Sequence, residues 1–181
     1  MTTENKVIVL DRDGVLNHDR PDYIRTPEQL HIIDGVPEAI FQLNQAQYKV
    51  LVATNQACIG KGLVLPETLA MIHKKLRAEI AVAGGEITEF FHCPHTNEDR
   101  CGCRKPAPGL LLQAQERWSF KAEETWFVGD TVRDMQAAKA ANCKGALVLT
   151  GYGAGIAHEV PDRPHFADLP GFVSFLLEQD L

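Results

Sequence analysis

No uninterrupted apolar stretch approaches the roughly 20 residues that a helix needs to cross a bilayer, so no membrane-spanning role is expected. The chain also lacks any Lys/Arg run. Its 24 acidic residues outnumber 18 basic ones, giving a net charge of −6, which suits non-specific nucleic-acid binding poorly. Aromatic residues are only 7% of the chain, thin material for stacking on bases. Met1 to Lys6 is polar and leads straight into a strand-like run, leaving no room for a signal peptide, and a reducing, cytoplasmic setting is expected. Internal repeats, low-complexity tracts and linkers are missing as well. What remains is 181 residues, 45% apolar and 23% charged, which fits one globular domain over residues 1–181. Cysteines are few, but three of the five, Cys93, Cys101 and Cys103, fall close together.

Strand-like and helix-like segments alternate along the chain. Val7 to Leu10, Val50 to Ala53, Trp126 to Val128 and Ala146 to Leu149 are short continuous apolar runs, as expected of strands buried on both faces. Glu89 to His92 is a further short candidate. Helical spacing occupies Val36 to Ala46, the stretch from Pro66 to Gly84-Gly85, Pro108 to Trp118, Asp134 to Ala141 and Gly171 to Leu177. Repeated β-α-β units with non-alternating strands predict an α/β fold, a doubly wound parallel sheet with helices on both faces. Ligands of such sheets bind beyond the carboxyl ends of the strands.

Those strand ends carry chemistry. Asp11-Arg12-Asp13-Gly14 follows the first strand, and two carboxylates held close need a cation between them, for which a hard divalent ion such as Mg²⁺ is suited. Thr54-Asn55 ends the second strand, Gly129-Asp130 with Asp134 ends a later one, and Arg104-Lys105 precedes a helix. Singly, each has an ordinary reading: Thr54 as a helix cap, Arg104 and Lys105 as surface charge, Asp130 as an N-cap. Taken together they predict an anion site with a metal.

The cysteine cluster reads Cys93-x-His95-x₅-Cys101-x-Cys103. Three thiolates and one imidazole complete a tetrahedral Zn²⁺ set and leave no open position, so the zinc is expected to be structural. The competing reading is a disulfide or free core thiols, which a reducing compartment disfavours in the first case. His92 is expected to point elsewhere, and Cys58 and Cys143 to be small, semi-buried residues.

Asp11-Arg12-Asp13-Gly14, Thr54-Asn55, Lys105-Pro106 and Gly129-Asp130-x₃-Asp134 resemble, in order, the four motifs of the haloacid dehalogenase superfamily of phosphatases. The resemblance implies a Rossmann-like core with a minimal cap and Asp11 as nucleophile. It implies Asp13 as general acid and base, and Mg²⁺ on the Asp11 carboxylate, the Asp13 backbone carbonyl and Asp130. Thr54 and Lys105 would hold phosphoryl oxygens, with Asp134 in support. The zinc loop, residues 92–105, narrows the likeness to the branch containing heptose-bisphosphate 7-phosphatases and histidinol-phosphate phosphatases, and Asn55 to Gly62 leans it toward the former. That branch implies substrate contacts from Asp19, Arg20, Pro21 and Asp22, from Thr54, Asn55, Gln56 and Ala57, and from Arg104 and Lys105. Two features depart from some members: the short spacing between His95 and Cys101, and Thr131 where others carry Lys.

The expected function is therefore a Mg²⁺-dependent sugar-bisphosphate phosphatase acting on a small phosphorylated sugar in lipopolysaccharide precursor synthesis. A monomer with no nucleic-acid or membrane partner is expected. A histidinol-phosphate phosphatase, a phosphotransferase and a non-enzymatic zinc-binding module are the alternatives.

Overall fold

A computed structural model describes residues 6–180. The reading of the chain's first residues as leaving no room for a leader therefore falls, apart from Lys6, outside the described residues. Six strands form one sheet: β1 (Val7–Leu10), β2 (Lys49–Asn55), β3 (Glu89–Cys93), β4 (Trp126–Gly129), β5 (Lys144–Val148) and β6 (His165–Phe166). Their order is β3-β2-β1-β4-β5-β6 and every pairing is parallel, as the apolar runs predict. All four residues of β1 are buried, because the strand lies mid-sheet and is covered on both faces.

The helices are α1 (Val36–Gln45), α2 (Ala57–Gly60), α3 (Pro66–Val82), α4 (Gly109–Trp118), α5 (Val132–Ala140), α6 (Gly153–Ile156) and α7 (Leu169–Gln179). One core joins Ile8 and Leu10 of β1 to Ile40 and Leu43 of α1, Ile72 and Leu76 of α3, and Phe172 of α7. The other joins Val7 and Val9 to Leu110 and Ala114 of α4 and Ala137 of α5. Alternate residues of β1 thus feed opposite layers, which is the period of two expressed in a two-faced sheet.

Several boundaries differ from the periodicity by one to a few residues. Helix α5 begins at Val132 rather than Asp134, because Thr131 and Asp134 form a reciprocal capping box. Strand β5 runs from Lys144 to Val148 and leaves Leu149 outside. The single turns α2 and α6 and the two-residue β6 are too short to impose a repeat on the sequence. Strand order reverses at β1, whose neighbours are β2 and β4, so a crevice opens above the carboxyl end of this strand.

Candidate active site

Asp11 stands at the first position past β1, its backbone N–H donating to Val128 O of β4 at 2.9 Å. Lys105 Nζ lies 2.8 Å from Asp11 Oδ1 and 2.7 Å from Asp134 Oδ1. The same ammonium donates to Ala53 O at 3.0 Å. Lys105 is 3% exposed, so it is not the surface charge that an isolated Arg-Lys pair suggests. Burial alone would lower its pKa, but Asp11 and Asp134 outweigh that and raise it, keeping the ammonium charged.

Asp11, Asp130 and Asp134 bring carboxylate oxygens within 4.8 Å of one another. Burial pushes the Asp11 carboxyl well up; Lys105 opposes this, and Asp134 and Asp130 add to it. Burial, with Asp134 next, pushes Asp130 up to about 7. Asp130 Oδ2 accepts from Tyr152 N at 2.9 Å, whereas the buried Asp130 Oδ1 has no partner. The floor is closed by glycines: a Cβ on Gly14 or on Gly151 would fall 2.1 Å from Asp130 Oδ2, and Gly14 adopts φ +83°. Three carboxylates facing one ammonium leave surplus negative charge in a buried place, and a hard divalent cation fits that donor set. Asp11 and Asp130 offer carboxylate oxygens that could hold such a cation, while Asp134 is committed elsewhere. Its Oδ2 accepts from Asp130 N, Thr131 N and Thr131 Oγ1 at 3.2, 3.0 and 2.7 Å. The N-cap of α5 is accordingly Thr131, not Asp130.

Asp13 is gripped by a residue whose role the sequence did not reveal. Arg12 is 1% exposed, and its Nε and Nη2 donate to Asp13 Oδ1 at 3.1 and 2.7 Å. Nη2 also reaches Asp13 Oδ2 at 3.0 Å. Asn17 Nδ2 and Gln56 Nε2 add bonds to the same carboxylate at 3.0 and 2.9 Å. Burial would raise the Asp13 pKa, but Arg12, Asn17 and Gln56 together hold it below the ordinary carboxylate value. A charged residue between two aspartates looks like surface from sequence alone; only its burial shows otherwise.

A cleft of about 490 Å³ opens over these groups. Asp11, Asp13, Asp19, Arg20, Pro21, Thr54, Asn55, Ala57, Arg104, Lys105, Asp130 and Asp134 all line it. Two expected substrate contacts do not. Gln56 is buried and turned inward, bonding Asp13 and Thr54 Oγ1, because its side chain lies beneath the strand end rather than above it. Asp22 is exposed and paired with Arg20 at 3.3 Å, its carboxylate directed along the loop. Thr54 caps no helix; it is an interior residue of β2 with its hydroxyl under the cleft. Tyr23, Arg133, Tyr152 and Ile156 also line the wall, and neither spacing nor motif marked them.

The cysteine cluster closes beside this cleft. Cys93 Sγ lies 3.6 Å from Cys101 Sγ and 3.2 Å from Cys103 Sγ, and Cys101 and Cys103 are 3.5 Å apart. His95 Nδ1 lies 3.5 Å from Cys93 Sγ and 3.3 Å from Cys103 Sγ. No disulfide links any of them. Tetrahedral Zn–S bonds of about 2.3 Å place sulfurs about 3.8 Å apart, so the donor set and its spacing fit Zn²⁺. Burial, with bonds from the other thiols, pushes Cys93 up to about 12, a proton that zinc would displace. His92 lies outside the set and faces His73 at 6.3 Å. Cys58 and Cys143 are fully buried core residues, more enclosed than expected. The loop then delivers Arg104, whose Nε donates to Asn97 Oδ1 at 2.7 Å and whose Nη1 donates to His95 O at 3.2 Å.

Known proteins resemble this chain in sequence and fold. Residues 102–169 match the HAD-hydrolase-like family model. The D-glycero-β-D-manno-heptose-1,7-bisphosphate 7-phosphatase of Neisseria meningitidis serogroup A is 41% identical over 180 residues, covering 97% of this chain and 96% of the relative. The enzyme of the same name from Pseudomonas aeruginosa is 41% identical, covering 95% of this chain and 98% of its own length. Among solved structures, the D,D-heptose 1,7-bisphosphate phosphatase of B. bronchiseptica, complexed with magnesium and phosphate, superposes with a TM-score of 0.93. It is 36% identical, covering 96% of this chain and 99% of the other. Identity at this level over nearly the whole length, on a matching fold, has one consequence: the chain belongs to the D-glycero-β-D-manno-heptose-1,7-bisphosphate 7-phosphatase family of haloacid dehalogenase-like hydrolases.

Proposed function

We propose that the chain is a Mg²⁺-dependent phosphatase that removes the 7-phosphate of D-glycero-β-D-manno-heptose 1,7-bisphosphate through an aspartyl-phosphate on Asp11. The observation that carries this is the Lys105 ammonium placed between Asp11 and Asp134, 2.8 and 2.7 Å away, at the floor of a cleft flanked by arginines. Mg²⁺, when bound by Asp11, Asp130 and the Asp13 backbone carbonyl, supplies positive charge that screens the nucleophile from the phosphate.

An Asp11 carboxylate oxygen forms the new bond to phosphorus as the bond from phosphorus to the C7 oxygen breaks. The departing alkoxide takes the Asp13 proton. In the resting site Asp13 is ionised by Arg12, Asn17 and Gln56. An arriving phosphate dianion favours proton uptake there, since like charge raises a carboxyl's pKa. Water then attacks phosphorus and gives its proton to Asp13, the bond between phosphorus and the Asp11 oxygen breaks, and inorganic phosphate leaves. Thr54 and Lys105 hold the phosphoryl oxygens, and Asn55 sets the Lys105 backbone. Arg104 meets the phosphate that is retained, and Asp19, Arg20, Pro21 and Ala57 face the sugar.

Residues 1–181 are read as a single catalytic domain whose zinc loop shapes the site. The product supplies nucleotide-activated heptose for lipopolysaccharide. Among the described residues no helix is long and apolar enough to cross a membrane. A cytoplasmic location and a monomeric state are part of this proposal.

Steady-state kinetics on heptose 1,7-bisphosphate and histidinol phosphate in parallel test the substrate. The expected outcome is a kcat/KM at least 100-fold higher on the bisphosphate, by analogy with sites built to pair polar groups of one substrate. A higher value on histidinol phosphate overturns the assignment.

A further inference from the structure

His73 takes no part in the chemistry above, yet it sits within the apolar stripe of α3 between Ile72 and Leu76 and is 8% exposed. Its ring stacks on Phe90 of β3 at 4.1 Å between centroids and 10° between planes, which fixes its orientation. Its Nε2 lies 3.2 Å from Arg12 Nη1 in a buried setting. A guanidinium only donates, so the imidazole nitrogen facing it must accept, and His73 is neutral with its proton on Nδ1. Burial, reinforced by the Arg12 charge, pushes its pKa down to about 3, in keeping with that state.

Arg12 spends Nε and Nη2 on Asp13. Without His73 its Nη1 would be a buried donor of a charged group stripped of this acceptor, and such a donor relaxes toward any other within reach. We infer that His73 is a positioning residue that holds the Arg12 fork, and through it the Asp13 carboxylate, in the orientation that proton transfer to the leaving oxygen requires. The role rests on the reading of Asp13 as general acid and base. It assigns to the buried face of α3 a function in the reaction rather than in packing alone.

The test separates positioning from stability by using two leaving groups. A sugar phosphate expels an alkoxide and needs a proton from Asp13; 4-nitrophenyl phosphate expels a stable phenolate and does not. His73→Leu removes the acceptor and keeps the bulk. The expected result is a kcat/KM at least ten-fold lower on the sugar phosphate and within about three-fold of the parent on 4-nitrophenyl phosphate, because kcat/KM ends with departure of the leaving group and excludes the later water attack, in which Asp13 serves both substrates alike. His73→Gln, which offers an oxygen near the position of Nε2, should restore most of the loss. Equal losses on the two substrates, or no benefit of Gln over Leu, overturn the proposal. His73→Asn, polar but too short to reach, replaces the leucine variant if that chain does not fold, with the same outcomes expected.

Solvent exchange of the Arg12 Nε–H, followed by NMR, gives a reading that does not depend on the chemistry. It should quicken at least ten-fold in His73→Leu, and an unchanged rate overturns the proposal. Asp13→Asn serves as the control: if it lowers kcat/KM equally on both substrates, the general-acid reading falls on its own account, and the exchange rate still decides whether His73 holds Arg12.

Discussion

Asn55 holds the Lys105 backbone by two reciprocal hydrogen bonds: its Oδ1 accepts from Lys105 N at 3.0 Å and its Nδ2 donates to Lys105 O at 3.1 Å. A side chain at the end of β2 thus fixes the backbone from which a cation reaches back to β1. Asn55→Ala should lower kcat at least ten-fold through displacement of the Lys105 ammonium. It should also cost roughly 1–3 kcal/mol of stability for two lost, partly buried bonds. Kinetics and thermal unfolding on the same preparation check both, and an unchanged kcat would remove the clamp from the mechanism.

Asp11→Asn should abolish turnover and end the trapping of a covalent phosphoryl-enzyme, since the amide cannot attack phosphorus. Stability should move the other way. Asp11 is buried, and its charge is disfavoured by burial and by Asp134 and Asp130. A neutral amide relieves that, so in the absence of Mg²⁺ the variant should melt no lower than the parent. A calorimetric scan in metal-free buffer would expose the opposite trend.

Zinc should be present at about one ion per chain by elemental analysis, following from a complete four-donor set. Stripping with a chelator should lower the melting temperature and suppress activity, because Arg104 and Lys105 follow directly on Cys103. The chelator also takes Mg²⁺, so the informative step is what restores function. Mg²⁺ alone should fail, and Zn²⁺ followed by Mg²⁺ should succeed. A stripped chain that keeps its melting temperature would refute a structural zinc.

The neutral state of His73 has a consequence for acid stability. Its folded pKa, about 3, lies below the ordinary 6.5, so between those values the unfolded chain binds a proton that the folded chain does not. Stability therefore holds above about 6.5 and declines as pH falls toward about 3, in addition to any contribution from carboxylates. Burial sets most of this balance, and the groups facing the ring, Arg12, His92 and Arg77 against Asp13, add to it. Denaturant unfolding of the parent and of His73→Leu between pH 7 and pH 4 should show a shallower decline in the variant; parallel curves would contradict this.

Much of the fold could be read from the chain because parallel strands buried on both faces leave continuous apolar runs, and each run stops where chemistry begins. Asp11, Thr54 and Asp130 were visible for that reason, and the zinc donors because Cys-x-His and Cys-x-Cys spacing is rare without a metal. Arg12 was not, since its meaning comes from burial, which a polar loop sequence does not announce. Gln56 and Ala57 are neighbours, yet one faces inward and the other lines the cleft, a distinction set by the turn into α2. His73 occupies a helix stripe where an aliphatic residue would satisfy the same periodicity. Tyr152 and Ile156 flank and end the short α6 after β5, far along the chain, and reach the cleft only through sheet order.

The pairing of Asn55 with Cys93 in the β2–β3 register fastens one end of the zinc loop to the sheet, and the clamp on Lys105 fastens the other. Between these anchors, residues 96–100 line no part of the cleft, and Asn97 reaches it only through its bond from Arg104. Lengthening a loop whose ends are already fixed costs little entropy, growing only with the logarithm of its length. This segment is therefore where the chain can lengthen at small entropic cost, altering how Arg104 is held while Asp11 and Lys105 keep their places.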